Sequence, residues 1–142
     1  MIRDSTATPA VVGDTIAWTT PTFSAGNFAM PVGTWTVESA DVVTYAYLIV
    51  GKTMTVSFSI DSTTVGGTGD NTLQIAIPAS KVATKQMQGV IGTFIDNGTR
   101  TTGFCVVAAS GTVIGINRTD IANLTASTNN TTVRGQITFE IN

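Results

Sequence analysis

Residues 44–61, TYAYLIVGKTMTVSFSID, alternate apolar and polar side chains along two arms that meet at Gly51-Lys52. Such period-two alternation makes a strand with one buried and one solvated face. Gly51-Lys52 suits a two-residue type II′ turn, which takes Gly at its first central position. Counting outward, Val50 pairs with Thr53 and Ile49 with Met54; Tyr47 then meets Val56, Tyr45 meets Phe58 and Val43 meets Ile60. The last four of these pairs are apolar and share one face. Leu48–Thr55, Ala46–Ser57 and Thr44–Ser59 take the other. A one-residue slip would put the apolar set of one strand in water, so the pattern specifies its own register.

Similar signals recur along the chain. TLQIAIP, 72–78, alternates Leu73, Ile75 and Ile77, and Pro78 ends it. Residues 88–118 read as three strands, with Asn97-Gly98 suited to a type I′ turn and Ser110-Gly111 to a second tight turn. VRGQITFEI, 133–141, puts Val133, Ile137, Phe139 and Ile141 on one face, and its lead-in STNN reads as turn material. Upstream, TFSAGNFAM and GTWTVES give two shorter strands, with Trp18, Phe23, Phe28 and Trp35 as core anchors. Residues 79–86 and 120–124 offer a helical turn or two without a sustained 3.6 period. The expectation is an all-β fold: one antiparallel β-sandwich of jelly-roll type, about 8–10 strands over residues 16–142. Residues 1–15 read as an N-terminal arm or linker.

Composition narrows the function. Charged residues make up 11% of the chain, against about 25% in an average soluble domain. Threonine takes their place, at 27 of 142 residues; its β-branched side chain suits the solvated face of a strand. The net charge is −2 with no basic run, so nucleic-acid binding has no electrostatic footing. No apolar run reaches the roughly 18 residues of a membrane-spanning helix, and membrane insertion is not expected. The first residues lack the charged and apolar regions of a signal peptide, which points to synthesis in a cytoplasm without conventional export if Met1 is the start. Cys105 is the one cysteine, so no internal disulfide can form. Its neighbours Phe104, Val106 and Val107 suggest a buried thiol acting as a small hydrophobe.

There is no histidine, which removes Ser-His and Cys-His catalysis and the Cys/His zinc sites. Paired carboxylates among Asp61, Asp70, Asp96 and Asp120 would suit a glycosidase, but Asp at such positions also caps turns. The stretch DSTTVGGTGDN, 61–71, offers Asp61, Asp70 and Asn71 as oxygen ligands for calcium, or a plain glycine-rich loop. VGKT at 50–53 lies inside the hairpin and lacks the glycine loop of a phosphate-binding motif. Tyr45, Tyr47, Trp18 and Trp35 are candidates for a sugar-stacking platform, although the two tyrosines fall on the apolar face. N-x-T triplets at Asn97, Asn117, Asn123, Asn129 and Asn130 read as turn composition. No cofactor is expected. The candidate ligand- or receptor-binding positions are Asp61, Asp70, Asn71, Asn97 and Arg100.

GTWTVESADVVTYAYLIVGKTMTVSFSID, then TLQIAIP, then NNTTVRGQITFEI, resembles modules of bacteriophage virion proteins: small Thr- and Gly-rich jelly rolls on fibre tips, head fibres and capsid surfaces, many built like the trimeric C1q and TNF heads. The likeness covers residues 20–142 and is one of strand pattern and composition. It implies a homotrimer at the particle surface and fixes no ligand motif. The expected function is therefore that of a non-enzymatic structural protein of a phage virion, assembled in the host cytoplasm. It would be a capsid decoration or head-fibre subunit, or a fibre tip contributing to host attachment. Its expected partners are other virion proteins through the arm, and a host-surface glycan or receptor. The alternative is a carbohydrate-binding module or adhesin domain.

Overall fold

The structure, a computed structural model, describes residues 16–142; the expected arm over residues 1–15 lies outside them. Ten strands are formed among the described residues: β1 (Phe28–Ala29), β2 (Thr34–Thr36), β3 (Val42–Val50), β4 (Thr53–Gly66), β5 (Thr72–Ala76), β6 (Met87–Asp96), β7 (Thr99–Thr101), β8 (Gly103–Val107), β9 (Val113–Arg118) and β10 (Ser127–Glu140). All pair antiparallel, in the order β1-β5-β9-β8-β6-β10-β4-β2, with β3 also on β4 and β7 also on β6. The sheet curls until β1 lies beside β2, giving a nearly closed sandwich. The all-β antiparallel fold read from the sequence is the one the chain adopts. Of the two stretches expected to hold a helical turn, only the first touches one, the 3-10 turn Pro78–Ser80.

The β3–β4 hairpin has the register that alternation dictates from Val50↔Thr53 to Thr44↔Ser59. Gly51 has φ +60 and Lys52 is not among the positive-φ residues, as a II′ turn requires. The last expected pair fails. Ile60 faces Val42, because a bulge pushes Val43 out of the ladder and leaves it 65% exposed. Asn97 and Gly98 both have positive φ and close β6 onto β7, as a type I′ turn does. The second turn sits earlier than expected: the Gly111 amide donates to the Ala108 carbonyl, and Ser110 takes the left-handed conformation. The middle arm of the expected three-stranded run is broken at Thr102 into β7 and β8.

β4 and β10 are both longer than alternation suggested. Asp61–Gly66, read as loop, continue β4, and Ser127–Asn130, read as turn, open β10. The cause is two bulges that break the period-two signal where the paired strands bend. Ser62 and Asn129 have φ 57 and 50, and the β4–β10 register shifts there. Side chains take up the displaced main-chain groups. The Ser62 amide donates to Thr132 Oγ1 at 3.0 Å, and the Asn129 amide to Thr64 Oγ1 at 3.0 Å.

The inner face collects Met54, Val56, Phe58 and Ile60 of β4, Val133, Ile137 and Phe139 of β10, and Leu73, Ile75, Ile114, Ile116 and Phe94 from the far half of the sheet. Cys105 is fully buried among them, and burial pushes its thiol up to about 11. An aromatic cluster closes the seam. Phe28 packs edge-on against Trp35 and Tyr45, each with ring centroids 5.6 Å away. Tyr45 Oη donates across the seam to the Ala76 carbonyl at 2.7 Å. Burial raises that phenol to about 12, so it stays a donor. Trp35 Nε1 donates to Thr63 Oγ1 at 2.7 Å, which donates to the Thr131 carbonyl at 2.9 Å. This buried relay ties β2, β4 and β10 together. Trp18 and Phe23 are not core anchors; they are 51% and 40% exposed. They precede β1 in a segment whose ladder contact is one bridge, Thr19 to Tyr47 on the outer edge of β3.

β6 and β10 approach closely at Gly135, where a Cβ would sit 2.5 Å from the Val90 carbonyl oxygen. Gly135→Ala should therefore cost about 1–3 kcal/mol. Gly115→Ala, whose Cβ would make no contact nearer than 3.5 Å, should be near neutral. Urea unfolding of both variants against the parent checks the contrast.

Candidate functional site

The five candidate positions fall in three places. Asp61 lies on β4 and not in a loop. Its carboxylate is clasped by Arg134 of β10, with Nε to Oδ1 at 2.9 Å and Nη2 on Oδ2. The hydrogen bond from Arg134 holds the Asp61 carboxyl below the usual range. Asp70 and Asn71 sit in the short loop before β5. Asp70 Oδ1 accepts from the Asn71 amide at 2.6 Å, and the Asp70 carbonyl accepts from the Leu124 amide at 2.9 Å. The second of these bonds fastens the loop to Leu124. Six of the eleven residues of the conceived calcium loop are thus strand. Among the described residues no three of His, Cys, Asp and Glu are grouped as metal ligands. Asn97 forms the β6–β7 turn, and its Oδ1 accepts from Asn130 Nδ2 at 3.3 Å.

Sequence reasoning missed the main electrostatic feature, a clasp built on Arg118 at the end of β9. Arg118 Nη1 donates to Asp96 Oδ2 at 2.6 Å; Nε and Nη2 donate to the two Asp120 oxygens at 2.9 and 2.6 Å. Asp96 is 4% exposed. It also accepts from the Thr125 amide at 3.0 and 3.2 Å and from Thr125 Oγ1 at 3.1 Å. Both carboxylates, considered above as members of an acid pair, are engaged by one guanidinium and fasten residues 119–125 against the sheet. The Arg-x-Asp spacing of Arg118 and Asp120 was visible; the approach of Asp96 depends on β6 and β9 flanking β8, which no local pattern encodes.

Of the proposed aromatic platform, Tyr45 and Trp35 are buried, Tyr47 is half-buried and Trp18 is exposed. Arg100 is different. It stands exposed on β7 opposite Ile95 and, among the described residues, makes no ion pair. Beside it lies a cleft of 450 Å³ lined by Gly92, Thr93, Thr101, Thr102 and Gly103 among others. A second cleft of 510 Å³ lies over the seam, between Tyr45, Pro78 and Lys81.

Two outcomes follow from these charges. Asp96→Ala should destabilise the fold by about 3 kcal/mol or more, since it leaves a half-paired cation in a mostly buried place. Asp120→Ala should cost much less; thermal melts compare the two. Asp61, Asp120 and Glu140 all have folded values below their ordinary 3.8, 3.8 and 4.5, through bonds from Arg134, Arg118 and Lys85 respectively. A lowered folded value stabilises above the unfolded one and is lost as pH falls through the folded one. The melting midpoint should be flat above about pH 5 and fall below it. Arg134→Ala should lower the midpoint at neutral pH and converge with the parent in strong acid.

No protein-family model, no curated protein and no solved structure matches this chain.

Proposed function

We propose that the protein is a non-enzymatic structural subunit of a bacteriophage particle. In this reading it is a homotrimeric β-domain at the particle surface that serves as a capsid decoration, head-fibre or fibre-tip subunit and contributes to host attachment. The segment before residue 16 meets other virion proteins.

One observation supports the reading most. The outer face of β3, β4 and β10 presents Thr44, Leu48, Thr55, Ser57, Gln136 and Thr138, a field without charge. Matched ion pairs bound it, Asp61–Arg134 on one side and Lys85–Glu140 on the other. Thr55 and Thr138 already share a hydrogen bond at 2.8 Å across the field. Such a surface can meet a copy of itself without desolvating an ion. The jelly-roll virion modules that the sequence resembles supply the particle context.

The competing reading is a lone carbohydrate-binding or adhesin domain, and the cleft beside Arg100 is the observation in its favour.

Light scattering on the purified chain should return about three times the 14.7 kDa of one subunit. Glu at both Ser57 and Gln136, which face each other in the ladder, should give a folded monomer. Serum against the purified chain should label the surface of intact particles by immunogold microscopy. A monomeric parent protein together with unlabelled particles would refute the proposal.

A further inference from the structure

The sheet has a gap beside Arg100. β6 pairs with β8 up to Val90↔Phe104, and with β7 from Phe94↔Thr101 onward. Between these points three residues of β6, Ile91 to Thr93, face two of the opposite arm, Thr102 and Gly103, and no pair forms. On the other side β10 pairs with Ile91 and Thr93 and skips Gly92. Gly92 therefore has a partner on neither neighbour. Gly92 is the extra residue of a β-bulge and is exposed, so its main chain is open to solvent or to a ligand. The gap opens as the 450 Å³ cleft, a size typical of small-molecule sites.

The charge at its rim is as unusual as the gap. Of the three arginines among the described residues, Arg118 and Arg134 each grip a carboxylate with two nitrogens. Arg100 has none. A guanidinium is a planar fork that matches a carboxylate edge-on. The cleft beside it is also lined by Thr93 and Thr102 and by the glycines Gly92 and Gly103. The gap is two to three residues long and lies between two strands. That is too short for an added peptide strand, which pairs along a free edge. It suits a compact ring with hydroxyls.

We propose that this gap is a binding site for a carboxylate-bearing saccharide of the uronic-acid class, with Arg100 gripping the carboxylate and Thr93, Thr102 and the Gly92 main chain meeting the ring hydroxyls. The assignment deepens the attachment part of the reading above and rests on it for the choice of a sugar as the ligand's body.

The test is an amide-resolved NMR titration of the full chain with glucuronic acid, with glucose and acetate as controls. The expected result is saturable shifts centred on Gly92, Thr101 and Gly103, with glucuronate binding roughly tenfold tighter than either control, and weakening with salt. Arg100→Ala should abolish the shifts, and Arg100→Lys should retain a fraction of them. Gly92→Leu, whose Cβ would meet nothing nearer than 3.8 Å, should block binding, with its native amide spectrum showing that the variant is folded. Equal shifts with acetate would overturn the saccharide assignment and leave a general anion site. No shifts, or shifts that persist in Arg100→Ala, would overturn the site itself. Subunit mass does not enter this readout, so a monomer would sink the trimer and not the site, and a silent titration the reverse.

Discussion

The pairing of β4 with β10 is the constraint on which the rest of the sheet depends. Both strands run fourteen residues, and three further strands pair directly with one or the other. β3 and β2 share the edge of β4 that faces away from β10, and β6 lies on the far edge of β10. A straight pair of that length would give a flat ribbon with two open edges. The bends at Ser62 and Asn129 let the ends of the sheet swing toward each other, so that β1 reaches β2 and the aromatic seam can form. The strain of two non-glycine residues at positive φ, of order 1–3 kcal/mol each, is set against closure of a core that contains more than twenty buried apolar side chains.

What could be read from the sequence follows from this. Wherever a strand is straight and half-buried, alternation identifies it, as from Thr44 to Val50, Leu73 to Ile77 and Val133 to Ile141, and in the β3–β4 hairpin it gives the register as well. Where a strand bends, the same rule fails. At Val43, Asp61–Gly66 and Ser127–Asn130 the period breaks, and polar residues that patch a bulge look like loop residues. The two misplaced aromatics have a related cause. Trp18 and Phe23 are as apolar as Phe28 and Trp35, and only the curl of the sheet decides which pair falls inside. The candidate site was legible residue by residue, in the turn at Asn97 and the lone Arg100, but not as a place. The gap beside Arg100 arises from a three-against-two mismatch between β6 and the β7–β8 arm that follows it, and the alternation along neither arm records it.

Electrostatics in this molecule is sparse and local. Among the described residues three of the four ion pairs link segments distant in the chain: residues 85 and 140, 96 and 118, 61 and 134. The pairs at residues 85 and 140 and at 96 and 118 fasten connections, while hydroxyl-bearing residues cover the outer sheet. That division lets the outer face stay neutral without leaving the loops loose, and it makes the unpaired Arg100 conspicuous.

The buried Cys105 has a use unrelated to chemistry in the native state. Its sulfur lies between β6 and β10, 3.9 Å from the Val90 carbonyl oxygen and 3.7 Å from that of Gln136. A thiol reagent reaches it when these strands part, and the high thiol pKa keeps background reaction slow. As the one cysteine of the chain, it is an intrinsic timer for opening of the sheet: the rate at which it is alkylated in native buffer reads the breathing of the fold at its centre, without an engineered label.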